Sequence, residues 1–123
     1  GHSFTAKPLG CAAANASLDL LEANPESYEN FEARHRPHLE ALAEHPKVQQ
    51  PRLTGTIAAF DLAIDGTHGY LNPAGRIVKQ QAINNGVFLR PLGQVVYLLP
   101  PLCLNDAQLE QCYAAIHLGL EAL

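Results

Sequence analysis

The chain has 123 residues, a formal charge of −4, 47% apolar residues and 16% charged ones. That is the length of one domain, with enough apolar material for a core. It carries no basic run and no apolar stretch of the roughly 18 residues a bilayer crossing needs, which argues against nucleic acid, anionic membrane and a membrane span. The low charge is expected of a piece whose surface is partly covered by something else. The start at Gly1 in a glycine-led loop, with no Met anywhere, reads as a piece of a longer chain, and no signal-peptide pattern opens it. Cys11, Cys103 and Cys112 form an odd set without paired spacing. They read as small buried apolar residues in a reducing, cytoplasmic compartment, not as disulfides or zinc ligands.

Residues 1–7 read as a loop, and Pro8 suits a first helical turn. Leu9, Ala13, Ala16 and Leu20 stripe a helix to about Ala23, rich in small residues that let other backbones approach, so it is expected to be packed on several sides. Asn24-Pro25 separates it from a second helix with a Tyr28, Phe31, His35, Leu39, Leu42 stripe, which Pro37 should kink or split near Arg36. Two strands follow, broken at Gly55; in the second, Ala58, Phe60, Leu62 and Ile64 alternate against Ile57, Ala59, Asp61 and Ala63. After a loop at 65–69, Asn72 caps a helix whose buried stripe is Ala74, Ile77, Val78 and Ala82, closed by Asn85-Gly86. Val87 to Leu99 reads as a hairpin with a type II′ turn at Gly93-Gln94, stopped by Pro100-Pro101. Asn105, with Gln108 as a capping box, opens a last helix with a Leu109, Cys112, Tyr113, Ile116, Leu120 stripe. The predicted fold class is α+β: a small, largely antiparallel sheet with helices packed on one face.

Arg90 is the sharpest candidate for chemistry. In the predicted register Leu92 pairs with Val95 and Arg90 with Tyr97, which places both side chains on one face about 5 Å apart. A guanidinium fork beside a phenol is a carboxylate receptor; the alternative is an Arg snorkelling off a sheet edge. Gly1, Ser3 and Thr5 could donate hydrogen bonds to a phosphate, or could simply cap the following helix. His35, His38 and His45 lack the spacing and partners of a metal site, so no metal is expected. Asp61 could act as a base, but reads more simply as a paired or solvated strand carboxylate. No P-loop, Rossmann glycine pattern or nucleophile elbow is present.

Gly-His-Ser-Phe-Thr-Ala-Lys-Pro-Leu-Gly-Cys-Ala-Ala-Ala, residues 1–14, resembles the loop and linker helix that follow the Schiff-base lysine in class III pyridoxal-phosphate aminotransferases. Lys7 stands where that family usually has Asn. Val87 to Pro101 resembles the family's final hairpin, and its Arg-Pro-Leu-Gly and Val-Tyr-Leu-Leu-Pro-Pro runs are similar to the diaminopelargonic acid branch. Ornithine and acetylornithine branches tend to carry Arg in place of Tyr97. The resemblance implies the C-terminal small domain of a fold type I enzyme, with 1–24 as loop and inter-domain linker helix and 25–123 as the small domain. It implies a homodimer using pyridoxal 5'-phosphate. His2 and Ser3 would touch the cofactor phosphate of the neighbouring subunit, and Gly1 would line the substrate site. Arg90 would bind the carboxylate of the keto acid, 8-amino-7-oxononanoate, with Tyr97 in the same pocket. The usual amino donor of that branch is S-adenosylmethionine, lysine in some variants.

In the family the Schiff-base lysine and the aspartate facing the pyridine nitrogen lie upstream of the position of Gly1. Lys7, Lys47 and Lys79 do not match that lysine. The resemblance therefore implies that this chain alone is inactive and holds the cofactor poorly. Two other readings stay open: an ornithine-like or acetylornithine-like omega-aminotransferase, and a non-catalytic stand-alone binding module of the same fold. A dimerisation unit is a third, resting only on the small-residue helix 9–23.

Overall fold

The computed structural model describes residues 5–64, 69 and 72–123. Helix α1 spans Pro8–Ala23, with Pro8 at its first position, where a missing N–H forfeits no intrahelical bond. A single turn, α2 (Glu26–Glu29), leads into α3 (Phe31–Ala43). The interruption falls at Asn30, not near Arg36, and α3 runs on through Pro37. Asn30 sits at φ −93° and ψ 4°, ending α2, while its carbonyl accepts from the Arg34 N–H and so begins α3. Pro37 forfeits one backbone bond inside α3. The burial of Phe31, His35, Leu39 and Leu42 along one stripe offsets that loss.

Three strands, β1 (Val48–Thr54), β2 (Ile57–Leu62) and β3 (Val95–Leu98), form an antiparallel sheet in the order β1-β2-β3. The β1–β2 turn is at Gly55, whose φ of 56° suits a residue without a Cβ. Inside β1 the register slips between Gln49 and Arg52, and Gln50 is left-handed at φ 49°. This is a bulge at Gln50-Pro51, where a residue with no N–H to give is tolerated. Across from it, Arg52 pairs with Asp61 at 2.7 Å, so Asp61 is a paired strand carboxylate.

Ala58, Phe60 and Leu62 of β2 and Val96 and Leu98 of β3 lie on one face of the sheet and are buried. They share a core with Leu39 and Leu42 of α3, Val78 and Ala82 of α4 (Ala74–Asn84), and Leu109, Tyr113, Ile116 and Leu120 of α5 (Asp106–Glu121). The expected α+β arrangement, helices on one face of a small antiparallel sheet, is present.

The local signals at α4 and α5 act as expected. The Asn72 side chain accepts from the Ala74 N–H at 2.9 Å. Gly86, at φ 79°, ends α4, with Val87 N–H on the Ala82 carbonyl at 2.8 Å and Gly86 N–H on Ile83 at 3.0 Å, the two bonds of a Schellman stop. Asn105 and Gln108 complete a reciprocal capping box. α4 and α5 cross so closely that a Cβ on Gly119 would sit 2.9 Å from Val78 Cγ1. Within α4, Ile77 is exposed, while Gly75 takes a buried place.

α1 differs from expectation. None of its residues is buried, and Leu9, Leu18 and Leu20 are exposed. No other element of the described chain packs over its stripe. Cys11 on α1 and Cys103 in the loop before α5 are exposed as well, and only Cys112 is half-buried. The expectation of three buried thiols therefore holds in part for Cys112 and fails for the other two. Both failures follow from position, one on an uncovered helix and one on a connecting loop.

Candidate functional site

The turn at Gly93-Gln94 forms as the sequence suggests. Leu92 and Val95 exchange backbone bonds of 2.9 and 3.0 Å, and Gly93 has φ 61° while Gln94 does not take a positive φ, as a type II′ turn requires. The turn is seated against α4. A Cβ on Gly75 would lie 2.1 Å from the Gly93 carbonyl oxygen and 2.9 Å from Pro91 Cβ, so only a glycine admits the turn this close.

Beyond Leu92 the predicted ladder stops. Residues 87–90 join no strand, and Tyr97 pairs with Ala59 of β2 instead of Arg90. The segment is tied at one end to α4 by the Val87 bond and drives Val87 and Leu89 into the core. That draws it away from the plane of the sheet, and the two arms of the hairpin diverge. The predicted Arg90–Tyr97 ladder pair is therefore absent, and no hydrogen bond joins the two side chains.

Divergence opens a cleft of about 470 Å³ between the arms, and both Arg90 and Tyr97 line it. Its other walls include Phe88, Leu99, Leu104 and Cys112, and Arg90 is the sole charged residue in them among the described residues. Arg90 has no ion-pair partner among the described residues, whereas Arg34, Arg36 and Arg52 are each paired with a carboxylate. Burial pushes the Cys112 thiol above its ordinary range, so it lines the cleft as a neutral thiol. An unpaired guanidinium at a cleft with apolar walls at Phe88, Leu99 and Leu104 can take a carboxylate in a two-pronged contact while those walls accept an aliphatic body.

Gly1, His2 and Ser3, singled out in the sequence, lie outside the described residues. Lys47 donates to the Leu120 carbonyl at 3.0 Å, and Lys79 sits over the Phe88 ring at 5.5 Å. Neither lysine nor any carboxylate of the described residues lines the cleft. No group of three metal-ligating side chains occurs among the described residues, and none of the described helices is long and apolar enough to cross a membrane.

Sequence reading did not single out Gln108, Gln111 and Cys112 as cleft residues, because their spacing also fits an ordinary helix flank. Nor did it find the buried pair of His35 and Tyr113, whose Nδ1 and hydroxyl lie 2.6 Å apart. Burial, with Arg34 and His38 nearby, lowers the His35 pKa. Burial and the neighbouring Cys112 raise that of Tyr113. The phenol therefore stays protonated beside a neutral imidazole, and one hydrogen bond joins the two. His38 stacks on Tyr113 at 4.8 Å, and the group belongs to the core.

Comparison with known proteins agrees with this architecture. The chain is 58% identical over 116 residues to adenosylmethionine-8-amino-7-oxononanoate aminotransferase of Synechococcus elongatus, covering 94% of this chain and 27% of that protein. The solved adenosylmethionine-8-amino-7-oxononanoate aminotransferase of Methanocaldococcus jannaschii superposes with a TM-score of 0.84 at 26% identity, over 98% of this chain and 29% of that one. The omega transaminase of Pseudomonas jessenii, solved in complex with PMP, gives 0.82 at 25% identity, over 98% and 28%. The chain thus spans little more than a quarter of the length of these relatives. The family model described as aminotransferase class-III matches residues 1–120, and the chain belongs to that family.

Proposed function

We propose that this chain is the substrate-carboxylate half of the active site of a class III aminotransferase, one that moves an amino group onto 8-amino-7-oxononanoate, the acid in the names of its Synechococcus elongatus and Methanocaldococcus jannaschii relatives. The observation that carries the reading is Arg90, unpaired, the one charged residue among the described ones at a largely apolar cleft that Tyr97 also lines. An acid with an aliphatic body matches that surface. Its carboxylate would take the guanidinium fork, and the chain would lie along Phe88 and Leu99. Arg90 in this role binds and orients, holding the reacting end of the acid at a fixed reach from the hairpin.

The cofactor in this reading is pyridoxal 5'-phosphate. The cleft, with no lysine and no carboxylate in its walls among the described residues, does not by itself fit that group. The reading therefore assigns the covalent chemistry to the rest of the full-length protein and leaves the isolated chain inactive. His2 and Ser3 would contact the cofactor phosphate across a homodimer interface, with Gly1 at the substrate. Residues 1–24 would serve as loop and linker helix and 25–123 as the small domain. Support for that division comes from α1, which buries nothing of its own. S-adenosylmethionine is the donor this reading takes. Three unpaired cysteines fit a reducing, cytoplasmic setting.

Steady-state kinetics of the full-length protein tests the reading. Arg90→Ala should raise KM for the keto acid by about 10- to 100-fold, the worth of one charge-assisted contact, and leave KM for the amino donor in place. An unchanged keto-acid KM would remove Arg90 from the site.

A further inference from the structure

Arg90 also borders a second groove, of about 360 Å³, on the α4 side of the hairpin turn, which Arg76 and Lys79 line with it. We propose that this groove is a phosphate-binding subsite, for a small molecule bearing a phosphate or pyrophosphate group, built from Arg76, Lys79 and Arg90.

The charge pattern carries the argument. The chain has 12 acidic and 8 basic residues, yet none of the acids falls between Asp65 and Asp106, where the basic residues are Arg76, Lys79 and Arg90. Elsewhere every Arg is paired with a carboxylate: Arg34 with Asp106, Arg36 with Glu32, Arg52 with Asp61. Around the groove none of the three cations has an ion-pair partner, and no acid lines it among the described residues. Three cations without an ion pair thus meet at one concavity of an acidic chain.

Arg76 and Lys79 stand three residues apart on α4, a spacing that puts both on one helix face. The first turn of α4 contains Arg76 and no acid, against the preference of a helix start for negative charge. A local rule broken without compensation is what a binding site looks like. Lys79 is half-buried and held over the Phe88 ring, which limits the freedom it would lose on binding.

The number of cations selects the ligand class. One carboxylate accepts one guanidinium fork and leaves the other two cations unused. A phosphate offers three strong acceptor oxygens and up to two charges, enough for two forks and an ammonium together. The groove shares Arg90 with the carboxylate cleft but rests on Arg76 and Lys79, so either assignment can fail without the other.

Inorganic pyrophosphate, titrated calorimetrically into the full-length protein already saturated with pyridoxal 5'-phosphate, tests the proposal; saturating first separates free phosphate from the cofactor's own. The expected result is saturable binding that weakens with added salt. Arg76→Gln with Lys79→Gln should weaken it by about tenfold or more, while Arg76→Lys with Lys79→Arg should retain most of it. Both positions are at least partly exposed, so the substituted chains should fold, which a melting curve verifies. Non-saturating heats, or equal affinity in the double Gln variant, would overturn the subsite. Failure here leaves the keto-acid KM of Arg90→Ala untouched, and an unchanged KM in that variant leaves the pyrophosphate result standing.

Discussion

α1 and α5 are both 16 residues long, yet α5 buries Leu109, Tyr113, Ala115, Ile116, Gly119 and Leu120 while α1 buries none. α5 also opens with a complete capping box, whereas α1 has no side-chain cap and relies on Pro8. A helix of this length is marginal in water without packing. The difference teaches that small, apolar composition does not say where a helix's cover comes from. α5 finds it against α4 and α3, in the core they share with the sheet, and α1 finds none within the described residues.

That contrast can be broken most sharply by truncation. Leu109→Ala, at a site 1% exposed, should cost about 2–5 kcal/mol of unfolding free energy. Leu9→Ala, at a site 76% exposed, should stay within about 0.5 kcal/mol. Urea unfolding of the 123-residue chain reads both, and equal losses would mean that α1 is packed after all. The helices that hold the hairpin offer a finer test. Gly75→Ala places a Cβ 2.1 Å from the Gly93 carbonyl, so the turn must move. A loss of about 1–3 kcal/mol is expected, with NMR shift changes concentrated at Pro91 to Val95. Changes confined to α4 would show that the turn is not seated on it.

The smallest effect is a slope with pH. His35 is buried beside Tyr113, and its folded pKa is lowered by burial first and by Arg34 and then His38 after it. The unfolded chain then binds a proton that the folded chain refuses. The contribution is full above the unfolded pKa of about 6.5 and is lost as pH falls from there through the lowered folded value. The urea midpoint should drop between pH 7.5 and 5.5, and His35→Gln should flatten that slope relative to the parent chain. An identical slope would place the titration elsewhere.

Much of this was legible because short signals fix local geometry. Gly86, Gly93, Asn72 and the Asn105–Gln108 box each name a backbone conformation or a capping bond, and each forms as read. The alternation in β2 named the buried face of the sheet for the same reason. Tertiary competition was not legible. Pairing Arg90 with Tyr97 satisfied a hairpin register, but the Schellman bond at Val87 and the burial of Leu89 pull that arm aside. Their meeting in one cleft follows from that divergence and not from the ladder. Pro37 marks a break that the packing of α3 overrides, and Asn30 supplies one that no proline announced. The bulge at Gln50 carried a signal in Pro51, which went unread because a β1 of this length pairs plausibly without it.

The most direct measurement is a crystal structure of the full-length protein with 8-amino-7-oxononanoate bound. The carboxylate should lie within hydrogen-bonding distance of the Arg90 guanidinium, with the aliphatic chain against the wall that holds Phe88 and Leu99. A carboxylate held by other residues, with Arg90 turned into solvent, would contradict the assignment.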